Sequence, residues 1–230
     1  MMRMRYVILL YMALAIAALI LLFIIGLGCA SLLRPVASIE SLTYINMDKD
    51  TVRNEGFLEH YAKHKIKGIE PKRFPGILVA EVPEGAKVSR GEYGCSLSHI
   101  AVLTEISMKT GGWHLVCEDD SRGNFAGLEA RYLRPTLFFL PWVQAINLYI
   151  KFPIRMVLLN MFGVYTSAYL VTPEAAGRMA TIIAAAATEM PCDIALHKNR
   201  TLARRSVKFT HAMGISDDPS SIDALGGRRS

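Results

Sequence analysis

The sequence lacks the ingredients of a stapled domain. It has 4 cysteines, of which Cys29 lies in an apolar run, and the remaining Cys95, Cys117 and Cys192 form an odd set with no CxxC pair. Neither a disulfide framework nor a structural zinc site follows from that pattern. No stripe of basic residues interleaved with aromatics is present, which argues against a nucleic-acid partner. No internal repeat appears.

Charge is absent altogether between Tyr6 and Ala30. A helix of that length, at about 1.5 Å per residue, crosses a hydrocarbon core of about 30 Å. Gly28, Cys29 and Ala30 offer the small residues that a signal peptidase accepts, yet the run is longer than the roughly 7–15 residues of a signal h-region, so a retained anchor is expected. Arg3 and Arg5 precede it and Arg34 follows it. The positive-inside bias then keeps the N-terminus cytosolic and makes the chain a single-pass type II membrane protein with its folded part lumenal or extracytosolic. Asn199-Arg200-Thr201 is an N-glycosylation sequon on that side. The formal charge of +6 includes Arg3 and Arg5, so the folded part is only modestly basic.

With 230 residues and 52% apolar content, the chain fits one domain plus this appendage. The expected organisation is an anchor over 1–30, a stalk over 31–40, a folded domain over 41–215 and a flexible polar tail over 216–230. Ser41–Met47 reads as a buried first strand. Phe57, Leu58, Tyr61 and Ile66 recur at near-helical spacing, predicting a helix over 52–67 stopped by Gly68. A loop with a short strand follows over 72–82. Leu97, Ile100, Ala101 and Leu103 mark the buried face of the next helix, which Gly111-Gly112 stops. Trp113–Cys117 is a short strand that runs into Glu118, Asp119 and Asp120. Helical segments are predicted around 128–140 and strand-like runs at 144–150 and 164–171. Thr172-Pro173-Glu174 has the cap, N1 proline and early acid of a helix start. Strands alternating with helices argue an α/β layered domain with a mainly parallel sheet.

Three carboxylates at the carboxyl end of a strand occupy the place where open α/β sheets bind ligands. Glu118 and Asp120, two apart, offer hard oxygen ligands to Mg2+ or Mn2+, whereas Asp119 points elsewhere. A solvated turn is the plain alternative.

Three strings occur in one order: Tyr44-Ile45-Asn46-Met47-Asp48, then Gly91-Glu92-Tyr93-Gly94-Cys95-Ser96-Leu97-Ser98-His99, then Cys117-Glu118-Asp119-Asp120. Together with Arg73-Phe74-Pro75, Ala168-Tyr169-Leu170 and Pro191-Cys192-Asp193, they resemble glycosyltransferase family 25, the lipooligosaccharide and procollagen galactosyltransferase relatives. The resemblance runs from about Ser41 to Lys198, and the Gly91 to His99 string is its most specific part. It implies a GT-A-like domain and an inverting, metal-dependent transfer of a hexose, galactose or glucose, from a UDP-sugar to a glycan, lipid-linked or protein acceptor. By position it implies Glu118 and Asp120 as metal ligands and Asn46, Asp48, Arg53 and Asp119 as donor-binding residues. Arg73 joins them because a guanidinium fork matches diphosphate oxygens, and His99 joins as a donor to phosphate, with a structural histidine bonded within the fold as the alternative. Arg90 is a further arginine suited to diphosphate. For the base that takes the acceptor proton the expectation is Asp193, with Glu189 behind it and a helix-capping role for Asp193 as the alternative. Cys95 and Cys117 are expected to pack as small hydrophobes. A second class of function is a degenerate relative acting as a membrane-tethered carbohydrate-binding or partner module.

Overall fold

The first strand, β1 (Ile39–Asn46), starts two residues earlier than its apolar pattern suggests and buries Leu42 and Tyr44 completely or nearly so. In the computed structural model of the chain, residues 11–12, 14–22, 37–148, 157–159, 166–209 and 214–215 are described. Of the expected anchor, residues 11–12 and 14–22 are helical and exposed, and the rest lies outside the described residues, as does the tail after 215. Among the described residues no helix is long and apolar enough to cross a membrane.

Helix α1 (Thr51–His64) follows β1 and buries Phe57 and Tyr61, four apart on one face. The ring of Phe57 stacks on Tyr44 with centroids 4.3 Å apart, which clamps the helix to the strand. Leu58, one residue round the helix, is left exposed, and Ile66 is buried only after the helix has ended. The stop comes at Lys65, whose extended backbone breaks the helix before Gly68.

Strand β2 (Pro71–Pro75) pairs parallel with β1, and β3 (Trp113–Glu118) pairs parallel on its other side. Between them runs α2 (Arg90–Ser107), which begins at a capping box: Ser89 accepts from the backbone of Glu92 and Glu92 accepts from that of Ser89. The buried face of α2 is Ser98, His99, Val102, Leu103 and Ile106, not the expected Leu97, Ile100 and Ala101, which are half-buried. Small and polar side chains therefore carry part of this interface. Gly94 explains why. A Cβ there would stand 2.4 Å from the carbonyl oxygen of Ile77, so α2 touches the segment after β2 backbone to backbone. Ser98 bridges the same contact, donating to Gly94 O and accepting from Ile77 N, both at 2.8 Å.

Beyond β3 come the two-residue strand β4 (Ser121–Arg122), a short helical run through Phe125 and Leu133, α3 (Arg134–Phe139), β5 (Ala145–Asn147), β6 (Val157–Leu159) and β7 (Ala168–Val171). Helix α4 (Pro173–Ala186) starts at Thr172, which accepts from Ala175 N, with Pro173 in its first turn, as its sequence predicts. The chain continues through α5 (Cys192–Lys198), α6 (Arg200–Ala203), β8 (Ser206–Phe209) and β9 (Gly214–Ile215).

The seven-stranded sheet has the order β2-β1-β3-β7-β5-β8-β6. The sheet is mostly parallel, as expected: β1, β2, β3, β5 and β8 share one direction, while β7 lies antiparallel between β3 and β5, and β6 antiparallel to β8. Side chains alternate across it. Leu115, Cys117 and Leu170 pack on one face with Phe57, Phe125 and Leu133, while Val116, Tyr169 and Val171 pack on the other with Leu103, Met179 and Leu196. The result is an α/β sandwich with helices on both faces.

Gly94→Ala should destabilise the fold by about 1–3 kcal/mol through overpacking, and the better helix propensity of alanine, about 1 kcal/mol, offsets only part of that. Gly177→Ala, whose Cβ would sit 3.4 Å from Ser107 Cβ, should be neutral or stabilising. Urea titration of both variants checks this, and equal behaviour of the two would remove the backbone contact as the reason for glycine at 94.

Candidate functional site

Strands β1 and β3 lie side by side and end together, so Asn46 and Glu118 emerge at the same edge of the sheet. The backbone ties the ends closely, with Asp119 N donating to Ile45 O at 3.1 Å. Asn46 is buried and its amide is used on both sides: Nδ2 donates to Asp119 Oδ2 at 2.7 Å and to Asp50 O at 3.1 Å, while Oδ1 accepts from Arg73 Nε at 2.8 Å. Arg73 also donates to Asp48 Oδ1 at 2.7 Å, on the exposed side of the loop. From the first turn of α1, Arg53 reaches Asp119 Oδ1 at 2.5 Å and Asp120 Oδ2 at 3.6 Å. Of the residues expected at the site, Asn46, Asp48, Arg53, Arg73, Asp119 and Asp120 thus form one connected network.

Glu118, beside Asp120, is held by different partners. Its Oε1 accepts from Thr166 Oγ1 at 3.1 Å and lies 3.6 Å from His99 Nε2. The opposite ring nitrogen of His99 shares a 2.9 Å hydrogen bond with the Tyr169 hydroxyl. Behind them, Cys192 Sγ is 3.7 Å from Thr166 Oγ1 and 4.0 Å from Cys95 Sγ. Cys117 packs in the core, as expected, and Cys95 is half-buried beside Cys192. Asp193 lies in the first turn of α5, whose N-cap is Pro191, so it does not cap the helix; its Oδ1 accepts from Ile194 N at 2.7 Å. Glu189 pairs with Lys87 on the surface at 2.7 Å, and Arg90 donates to Ala80 O at 3.2 Å.

The electrostatics follow from packing acids against one another. Burial pushes Asp120 up to about 7, helped by the charges of Glu118 and Asp119 and opposed by Arg53. Burial likewise raises Asp119, against the hydrogen bond from Asn46 and the charge of Arg53. For Glu118 burial acts upward, but His99 and Thr166 outweigh it and hold the carboxyl below its usual range. Burial would lower His99, yet the charges of Cys192 and Glu118 outweigh it and raise the imidazole. Among the described residues Asp120 Oδ1, Arg53 Nε, Asp50 Oδ2 and His99 Nε2 are buried without a hydrogen-bond partner. Such orphans are rare in folded chains; Ser96 Oγ and Thr136 Oγ1 share that state, so four of the six such atoms among the described residues belong to the residues gathered here.

Thr166, Tyr169 and Cys192 join the site without having been singled out as site residues. Tyr169 and Cys192 stand in strings that carry the family resemblance, but Thr166 comes from an apolar run that gives no chemical signal. A separate cavity of about 570 Å3 opens at the opposite end of the sheet, among Ser38, Glu40, Gly112, Trp113, Gln144 and Glu174.

No family model matches the sequence, and no curated protein matches it. Among solved structures, the chain is similar to a glycosyltransferase involved in the glycosylation of the major capsid of PBCV-1, at 14% identity and a TM-score of 0.38, over 66% of this chain and 67% of that one. A likeness of that extent assigns nothing to the site.

Asp120 gives a signed prediction. Its folded value of about 7 lies above the ordinary 3.8. Between those values the folded chain holds a proton that the unfolded chain has released, so stability falls as pH rises across the window. Asp120→Asn should therefore stabilise the metal-free chain, by on the order of 1–3 kcal/mol at about pH 8 and by little at about pH 4. Urea titrations at both values check it, and a gain independent of pH would show that folding does not raise Asp120.

Proposed function

We propose that the chain is a GT-A-like hexosyltransferase that moves galactose or glucose from a UDP-sugar to a glycan, lipid-linked or protein acceptor, with inversion at the anomeric carbon. The observation that carries this reading is convergence. Asn46 and Asp48, Arg73, and Glu118 to Asp120 come from separate strings that resemble glycosyltransferase family 25, and they meet at the carboxyl ends of two adjacent parallel strands. That is where α/β sheets bind ligands. The sheet order, with most strands in one direction and β7 reversed, is compatible with the same reading.

A divalent cation suits the donor set. Asp120 Oδ1 is a buried carboxylate oxygen with no partner, and Glu118 and Asp120 offer the hard ligands that Mn2+ or Mg2+ prefers. Held there, the ion would neutralise negative charge as the nucleotide diphosphate departs. The remaining roles fall to the chain itself. Asn46 and Asp48 border the nucleotide. Arg53 and Arg73 present guanidinium groups that match phosphate oxygens. Asp119 and Asn46 hold those arginines in place, and His99 with Thr166 orients Glu118. Asp193 takes the proton from the acceptor hydroxyl as that oxygen attacks from the face opposite the phosphate. The anchor at 1–30 would hold this domain on the lumenal or extracytosolic side of a membrane.

One observation favours a second reading, in which the domain binds a carbohydrate or a partner without turnover. Both arginines are already neutralised by carboxylates of the chain, which a diphosphate has to displace.

A panel of nucleotide sugars with Mn2+, read as nucleotide release with and without acceptor sugars, separates the two. Transfer predicts slow release from one UDP-hexose without acceptor. Asp193→Asn should lower turnover onto acceptor by orders of magnitude while donor affinity stays within a few-fold, because a base acts only as the proton moves. Tight donor binding with no release from any sugar would support the binding module instead.

A further inference from the structure

Cys95 and His99 stand one helical turn apart on α2 and so share a face. Cys192, the first residue of α5, is brought against them from nearly a hundred residues away. One ligand atom from each of the three lies within 4.8 Å of the other two. This trio is not part of the carboxylate network on Arg53, and the proposed transfer reaction does not use the two thiols.

Four features of the trio suit a soft divalent metal. The sulfurs are 4.0 Å apart. A disulfide needs about 2.05 Å, whereas two thiolates on one tetrahedral zinc, each bonded at about 2.3 Å, sit about 3.8 Å apart. His99 is fully buried, and its Nε2 makes no hydrogen bond, with Glu118 Oε1 standing 3.6 Å away. An imidazole nitrogen in that state is costly unless something engages it. Its Nδ1 meets the Tyr169 hydroxyl at 2.9 Å, the outer hydrogen bond that fixes ring orientation in metal-binding histidines. Finally, Cys95 is half-buried while Cys192 is buried, so the cluster has one side open to solvent for entry of the ion.

We infer that Cys95, His99 and Cys192 bind Zn2+ as a three-residue soft-metal site beside the donor site. Binding releases to solvent the protons carried by the two thiols and by His99 Nε2, and leaves a neutral zinc dithiolate with that nitrogen as third protein ligand. Thiolate and imidazole select zinc over Mg2+ and Mn2+, which go to carboxylate oxygens, so this site and the Glu118–Asp120 pair take different ions. The metal would pin the start of α5 to α2 and fix the ring that faces Glu118.

The test uses the full chain, reduced and stripped with a chelator, titrated with Co2+ alone and then with Zn2+. A thiolate-to-cobalt absorption band should grow to a single equivalent and vanish as Zn2+ displaces the probe. Cys95→Ser and Cys192→Ser should abolish the band, whereas Cys29→Ser and Cys117→Ser should keep it. Tyr169→Phe should weaken Co2+ binding by about 10–100-fold through loss of the outer hydrogen bond. Glu118→Gln should keep the thiolate band, which separates failure of this site from failure of the Mn2+ site. Should the serine variants misfold, the unmodified chain still decides: Zn2+ should protect Cys95 from a thiol reagent, and Mn2+ should not. Absence of a thiolate band in the reduced wild-type chain, or equal labelling of Cys95 with and without Zn2+, would overturn the inference.

Discussion

Arg53 holds the candidate site together. Its guanidinium meets Asp119 at 2.5 Å with both side chains largely buried, and Asn46 closes the arrangement by donating to the other oxygen of the same carboxylate. One interaction thereby joins the end of β1, the first turn of α1 and the end of β3. Removing one member of such a buried pair strands the other, at about 3–5 kcal/mol, so the geometry of this sheet edge depends on it. Burial raises Asp120, and the same arginine opposes that only in part, because a guanidinium committed to Asp119 stands 3.6 Å from Asp120 Oδ2; Oδ1 has no partner. A crowded acid with an unused oxygen is a poor structural element and a good cation ligand.

Helix α2 supplies the other constraint, through the string Gly91 to His99. Gly94 and Ser98 face the segment after β2 and allow a backbone contact that no larger residue fits. Cys95 and His99 turn instead toward Cys192 and Glu118. One stretch of helix thus does two jobs on two faces, which gives a physical reason for its small and polar residues where an ordinary core helix carries Leu and Ile.

Local chemistry in the sequence was a good guide to local structure. Thr172 and Pro173 spell the start of α4, and Trp113 to Cys117 spell a buried strand ending in acids. Ser89 and Glu92 spell a capping box just as plainly, well before Leu97, where the apolar pattern of the helix begins. Pairing direction is not written in a short buried strand: Ala168 to Val171 is apolar throughout, so nothing in it distinguishes an antiparallel insertion from another parallel strand. The site divides in the same way. Asn46, Arg73 and Asp119 were legible because they stand in recognisable strings, whereas the separate partners of Glu118 and Asp120, which are Thr166, His99 and Arg53, are brought near only by the fold. Cys95 and Cys192 could be counted as part of an odd set but not paired, since 97 positions separate them.

The central claim is that the carboxyl ends of β1 and β3 form a cation-dependent nucleotide site, and the free Mn2+ signal in electron paramagnetic resonance tests it most directly. Mn2+ titrated into the wild-type chain with UDP should lose its free-ion signal as the ternary complex forms, and much less should be lost when Mn2+ and UDP together are offered to Asp120→Asn. Equal loss of the free signal in the wild type and in Asp120→Asn, or no effect of UDP on Mn2+ binding in the wild type, would contradict the account.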